Sequence, residues 1–111
     1  MKQRRILIIR PDRVGDVVLT TPLIRAVRKT FPSAFVGVMV GSNTAPLLLN
    51  NPHIDLVFTD DPLGKDAGRS GFWKQVRTLR EQKFDTGLMP LPRERHAWMM
   101  LLAGIHTRIG V

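Results

Sequence analysis

The chain has no cysteine and no tyrosine among its 111 residues, only 6% aromatics, and 9 acidic side chains against 17 basic ones. Without cysteine there can be no disulfide, thiol nucleophile, thiolate zinc site or iron–sulfur cluster. The three histidines, His53, His96 and His106, show no ligand spacing such as one helical turn, so no metal is expected. No cofactor motif is present either. The longest apolar run, residues 97–105, falls well short of the roughly 20 residues that span a bilayer. The basic start Met1-Lys2-Gln3-Arg4-Arg5 resembles that of a secretion signal, but Arg10 cuts the apolar run behind it at Ile9. That run is too short for a signal core of about 7–15 residues, and a cytoplasmic chain is expected.

What is present reads as one folded unit. A hydrophobic fraction of 43% and a charged fraction of 23% are ordinary for a globular domain and argue against disorder. The net charge of +8 has three readings: nucleic acid, simple solubility, or an anionic small molecule or lipid surface. Composition separates none of them. The scarcity of aromatic platforms for stacking bases ranks nucleic acid last.

The apolar pattern alternates between two periods. Residues 6–9 are a continuous Ile/Leu run, the mark of a strand buried on both faces. Helical spacing follows through Val17, Val18, Leu23, Ile24 and Val27, with Arg25, Arg28 and Lys29 at the negative end of the helix dipole. Pro22 either kinks this helix or starts a new one behind Thr21. Further strands are expected at 35–40, 54–58, 86–89 and 108–111, and helices at 45–49, 71–83 and 94–103, the last capped by Gly104. Trp73, Trp98, Met99 and Met100 are expected in the core. Asp60-Asp61 reads as a solvated turn in the irregular stretch 59–70. Strict alternation predicts an α/β, Rossmann-like, doubly wound parallel sheet of about five strands with helices on both faces. A sheet stopping on a short last strand leaves an open edge, which a second copy could cover.

Ligands of such sheets sit outside the carboxyl ends of the strands. Three loops are expected there: Arg10 to Asp16, Gly41 to Asn43, and Pro90 to Arg95. Gly15 lets a ligand approach backbone, and free N–H groups at the helix start favour an anion. With one glycine this is no dinucleotide fingerprint, and it lacks the ending of a phosphate-cradling loop. Asp16 is either a helix-start carboxylate worth about 0.3–1 kcal/mol or a group placed to take a proton from a substrate hydroxyl. Arg10, Arg13, Arg93 and Arg95 are either solvated loop charges or bidentate donors for phosphate or carboxylate.

The segment ILIIRPDRVGDVVLTTP at residues 6–22 resembles the N-terminal signature of the ADP-heptose lipopolysaccharide heptosyltransferases, the family-nine glycosyltransferases. The likeness continues through residues 23–28, Phe31-Pro32, Ala45-Pro46-Leu47-Leu48, Asn51-Pro52-His53-Ile54-Asp55, Phe84-Asp85 and residues 102–110. It implies a GT-B enzyme: two Rossmann-like domains facing a cleft, acceptor on the N-terminal one and nucleotide-sugar donor on the other. It further implies transfer with inversion and without a metal, Asp16 as general base, and a phosphorylated lipopolysaccharide core as acceptor, met peripherally at the inner face of the cytoplasmic membrane. Arg10, Arg13, Gly15, Asn43, Arg93 and Arg95 then become the acceptor-binding set. Where many relatives carry an Asp-x-Gln-Gly-like segment, this chain has Met89-Pro90-Leu91-Pro92-Arg93. Two such domains need roughly 200–400 residues. Residues 1–111 are therefore expected to be a truncated N-terminal acceptor-side domain, without the donor domain and inactive alone. The alternative is a non-enzymatic anion- or sugar-binding module.

Overall fold

Four consecutive side chains, Ile6, Leu7, Ile8 and Ile9, are each no more than 2% exposed. A strand achieves this only where both faces of its sheet are covered, and each such burial is worth about 1.5–3 kcal/mol relative to exposure. The computed structural model describes residues 4–9, 14–61, 64, 66–89 and 94–110, and the side chains of all these but 14–20 and 110. Its strands are β1 (Arg5–Ile9), β2 (Phe35–Val40), β3 (Leu56–Thr59), β4 (Thr86–Met89) and β5 (Thr107–Gly110). They form one parallel sheet in the order β3-β2-β1-β4-β5, with Ile8 in register between Val38 and Leu88. The doubly wound architecture expected from the alternation is the one that forms.

Among the described residues three helices and a short 3-10 turn cover the sheet. Helix α1 (Val14–Thr30) sets Ile24 and Val27 against Ile6, Ile8, Val36, Val38 and Val40, and the 3-10 turn Ala45–Leu47 completes that layer with Ala45 and Leu48. On the opposite face α2 (Gly68–Gln82) and α3 (Glu94–Leu102) set Val76, Leu79, Met99 and Met100 against Leu7, Ile9, Met39 and Phe58. Close approach on this face depends on Gly37, where a Cβ would lie 2.7 Å from Phe84 Cζ.

The choice left open at Pro22 is decided, with α1 running through it as a single element. Several expectations are corrected. The second helical segment tightens to a three-residue 3-10 turn, because Pro46 opens it and Leu47 and Leu49 have nothing to bury against (55% and 65% exposed). Strand β3 begins two residues later than its apolar run, since Ile54 N closes the turn onto Asn51 O and Asp55 joins Val36 of β2 through its own N–H and its carboxylate. Helix α2 begins three residues earlier, at Gly68, and ends on Lys83 in the left-handed region (φ 53°). Trp73 and Trp98, expected in the core, are 52% and 53% exposed. Their positions on α2 and α3 point away from the sheet, and Met99 and Met100 fill the interior as expected.

Candidate functional site

In a parallel sheet every strand ends at the same edge. Here the chain winds from β1 toward β2 and β3 on one side and from β4 toward β5 on the other, so the switch point lies between β1 and β4. The loops leading from these two strands carry Arg10, Arg13 and Arg93, which fall outside the described residues. Gly15 and Asp16 occupy the first turn of α1, immediately after the β1 loop, and their backbone is placed at the carboxyl edge. The first N–H groups of a helix have no partner within it and carry the positive end of its dipole.

Asn43 lies on the loop after β2 and is exposed. Its neighbours hold that loop in shape. The Thr44 hydroxyl donates to Gly41 O at 3.0 Å, and Ser42 donates from its backbone N to Asp61 at 2.9 Å and from its hydroxyl to the same carboxylate. The loops after β2 and β3 are thereby fastened to each other.

Asp60, the residue after β3, is a heavily bonded group on this edge. It is 1% exposed, which overturns the solvated turn expected for it. Arg95, in the first turn of α3, grips it with two prongs, Nη2 to Oδ1 at 3.0 Å and Nε to Oδ2 at 3.1 Å. His96 Nε2 lies 2.7 Å from Oδ2, and Gln75 of α2 donates to Thr59 O beside it at 2.7 Å. Burial alone would raise the Asp60 carboxyl above its ordinary range, but the His96 and Arg95 contacts outweigh it and hold the group down at about 2. Arg95 Nη2 also donates to Asp66 O at 3.1 Å, and Asp66 in turn accepts from Asp61 N at 2.9 Å. Among the described residues Asp66 Oδ1 accepts no hydrogen bond but has Lys74 Nζ 3.3 Å away. His96 Nδ1 is buried with no partner among the described residues. The start of α3 is thus bolted to the end of β3 across the top of the sheet.

Of the residues singled out from sequence, Gly15 and Asp16 share one helical turn, and Arg95 is joined to Asp60, not to Asn43. Asp60, Asp66, Gln75 and His96 were not foreseen. The signal available for Asp60 was its place at the carboxyl end of β3, the edge of the sheet that also drew attention to Asp16. Among the described residues no group of three or more His, Asp or Glu is placed to hold a metal ion.

The backbone at Asp66 has a second constraint. A Cβ on Gly71 would stand 2.1 Å from Asp66 O, the carbonyl that Arg95 grips. Gly71→Ala is therefore expected to displace Asp66 and destabilise the fold by about 1–3 kcal/mol. Chemical denaturation checks this, and an unchanged midpoint would refute the close packing.

No protein-family model matches the chain. Individual proteins do. Lipopolysaccharide heptosyltransferase 2 of Escherichia coli K12 is 30% identical over 107 residues, covering 96% of this chain and 30% of that protein. Lipopolysaccharide heptosyltransferase 3 of Escherichia coli is 32% identical over 73 residues, 64% of this chain and 22% of that protein. The crystal structure of a family 9 glycosyl transferase from Veillonella parvula superposes with a TM-score of 0.88 at 23% identity, covering 99% of this chain and 33% of that one. The chain thus spans less than a third of the length of these two curated relatives.

Proposed function

We propose that this chain, which belongs to the lipopolysaccharide heptosyltransferase family over the stretch of those proteins that it spans, is the N-terminal, acceptor-side part of an inverting glycosyltransferase. The supporting observation is the start of α1 at the switch point of the sheet, with Gly15 and Asp16 in its first turn.

In this reading the Asp16 carboxylate takes the proton of an acceptor hydroxyl as that oxygen attacks the anomeric carbon of ADP-heptose from the face opposite the leaving group. The bond to the diphosphate breaks, ADP departs, and the sugar's configuration inverts. The free N–H groups of α1 and the arginines of this edge, Arg10, Arg13 and Arg93, attract the phosphates of a lipopolysaccharide core. Arg95 contributes what its bonds to Asp60 and Asp66 leave over, and Asp60 sets its place. Gly15 and Asn43 complete the acceptor surface. The donor and its diphosphate are bound by residues beyond these 111, and no metal or other cofactor takes part. The protein works on the cytoplasmic side, in peripheral contact with the membrane that carries its acceptor. Among the described residues no helix is long and apolar enough to cross a membrane.

Calorimetric titration tests this division of labour. Phosphorylated inner-core oligosaccharide is expected to bind the 111-residue polypeptide saturably, ADP is not, and the polypeptide alone should transfer no sugar. Binding of ADP in place of the oligosaccharide would reverse the assignment. Equal binding of heparin and oligosaccharide would reduce it to bulk charge, and sugar transfer by the polypeptide alone would refute the missing donor half.

A further inference from the structure

Both tryptophans of the chain, Trp73 and Trp98, lie on the outer surface of the α2/α3 layer at about half exposure. They belong to one apolar patch. The Trp73 ring meets Phe72 edge to face at 5.7 Å, and Phe72 lines a groove of about 460 Å³ together with Trp98 and Leu102. Leu101, one turn along α3 from Trp98, is 45% exposed beside it.

The rim of this patch is basic on the α2 side. Arg69, Trp73 and Arg77 follow at i, i+4 and i+8, so that one tryptophan has an arginine a turn away in each direction, and Arg80 extends the row. All three arginines are exposed, and none donates a hydrogen bond or ion pair to another side chain among those described. Glu94 at one end of the groove is the acidic member of its lining.

We propose that this face docks on the surface of an anionic lipid bilayer. Indole rings, apolar in body with one polar N–H, settle at the depth of the headgroups. Arginines one turn away reach lipid phosphates while their stems cover apolar surface. A second copy is disfavoured as the occupant, because a symmetric contact would bring the two arginine rows together. The inference gives the membrane contact of the proposed function a location. It depends on neither Asp16 nor the sugar, so the two readings can fail separately.

The chain has no tyrosine, so its near-ultraviolet emission arises from this patch. Vesicles of phosphatidylglycerol and phosphatidylcholine in equal parts are expected to float the protein and shift its emission to shorter wavelength. Vesicles of phosphatidylcholine alone are expected to do neither. Lipids brominated on their chains should quench the emission. Each arginine near an anionic surface is worth roughly fivefold in partitioning, so Arg69→Gln with Arg77→Gln should weaken binding about 25-fold. Arg25→Gln with Lys29→Gln, on the exposed side of α1, should leave the emission shift in place. Trp73→Ser tests insertion at a half-exposed position on the outer side of α2, and it should reduce the shift of the remaining Trp98 emission. Absence of flotation overturns the proposal. So does flotation with unchanged emission, which would place the contact elsewhere. An emission shift that grows with protein concentration without lipid would show a second copy on this face, and overturns it too. Failure on vesicles with oligosaccharide binding retained would remove the docking face alone.

Discussion

Replacing Asp60 by asparagine is expected to destabilise the fold by about 3–5 kcal/mol, the usual cost of breaking a buried ion pair from one side. The low end of that range applies, because the Arg95 side chain is 23% exposed and water can partly replace the lost carboxylate. The variant should also change the response to acid. The Asp60 carboxyl is depressed in the folded protein, from 3.8 to about 2, with the cost of burial outweighed by His96 and Arg95. A depressed acid stabilises the fold at every pH above its unfolded value and loses that contribution as pH falls through its folded value. The window is therefore pH 4 to 2, and the amount lost is roughly 2 kcal/mol. Urea titrations across that window should show the wild-type chain losing this much more stability than Asp60→Asn, since other carboxyls act alike in both. Parallel curves would mean that Asp60 is not held ionised by its partners.

The same residue shows where the sequence can be read and where it cannot. The sheet was legible because its signal is local: an unbroken Ile/Leu run for β1, repeated alternation of strand and helix, and a glycine at the end of α3 that adopts φ +81°. The Asp60 cluster was not, because its three partners arrive from two other helices, 15 to 36 residues away along the chain. No local period encodes that meeting. The tryptophans failed for a related reason, since helical spacing says which residues share a stripe but not which stripe meets the sheet. The family-like segments also divide once the fold is known. Asp55 accepts from Arg28 at 2.6 Å and from Val36 N at 2.8 Å, and Asp85 accepts from Arg5 N at 2.7 Å. Both lie before strands, at the amino edge, and fasten the sheet at the end opposite the candidate site. Their presence in the likeness is accounted for by structure, whereas the Gly15-Asp16 turn lies at the opposite edge, and the chemistry proposed for it is a separate assignment.

That assignment is open to a decisive substitution. In a polypeptide of the relatives' full length, Asp16→Asn is expected to lower kcat by about 10²–10⁴, the usual contribution of a general base. KM for the acceptor should stay within about threefold, because the amide keeps the size and hydrogen-bonding reach of the carboxylate and loses only the capacity to accept the proton. The two readings of Asp16 differ in size as well as kind. The loss of rate corresponds to about 3–5 kcal/mol in the barrier. A helix-start carboxylate is worth only about 0.3–1 kcal/mol, and that appears in stability, not in turnover. A variant with full kcat and a slightly lower Tm would make Asp16 a helix-start residue and require another base. A variant with little kcat and an unchanged acceptor KM would place the proton transfer on Asp16. The pH profile separates the remaining case: if the residue only orients the acceptor, the acid limb of kcat survives in Asp16→Asn, whereas loss of the base removes it.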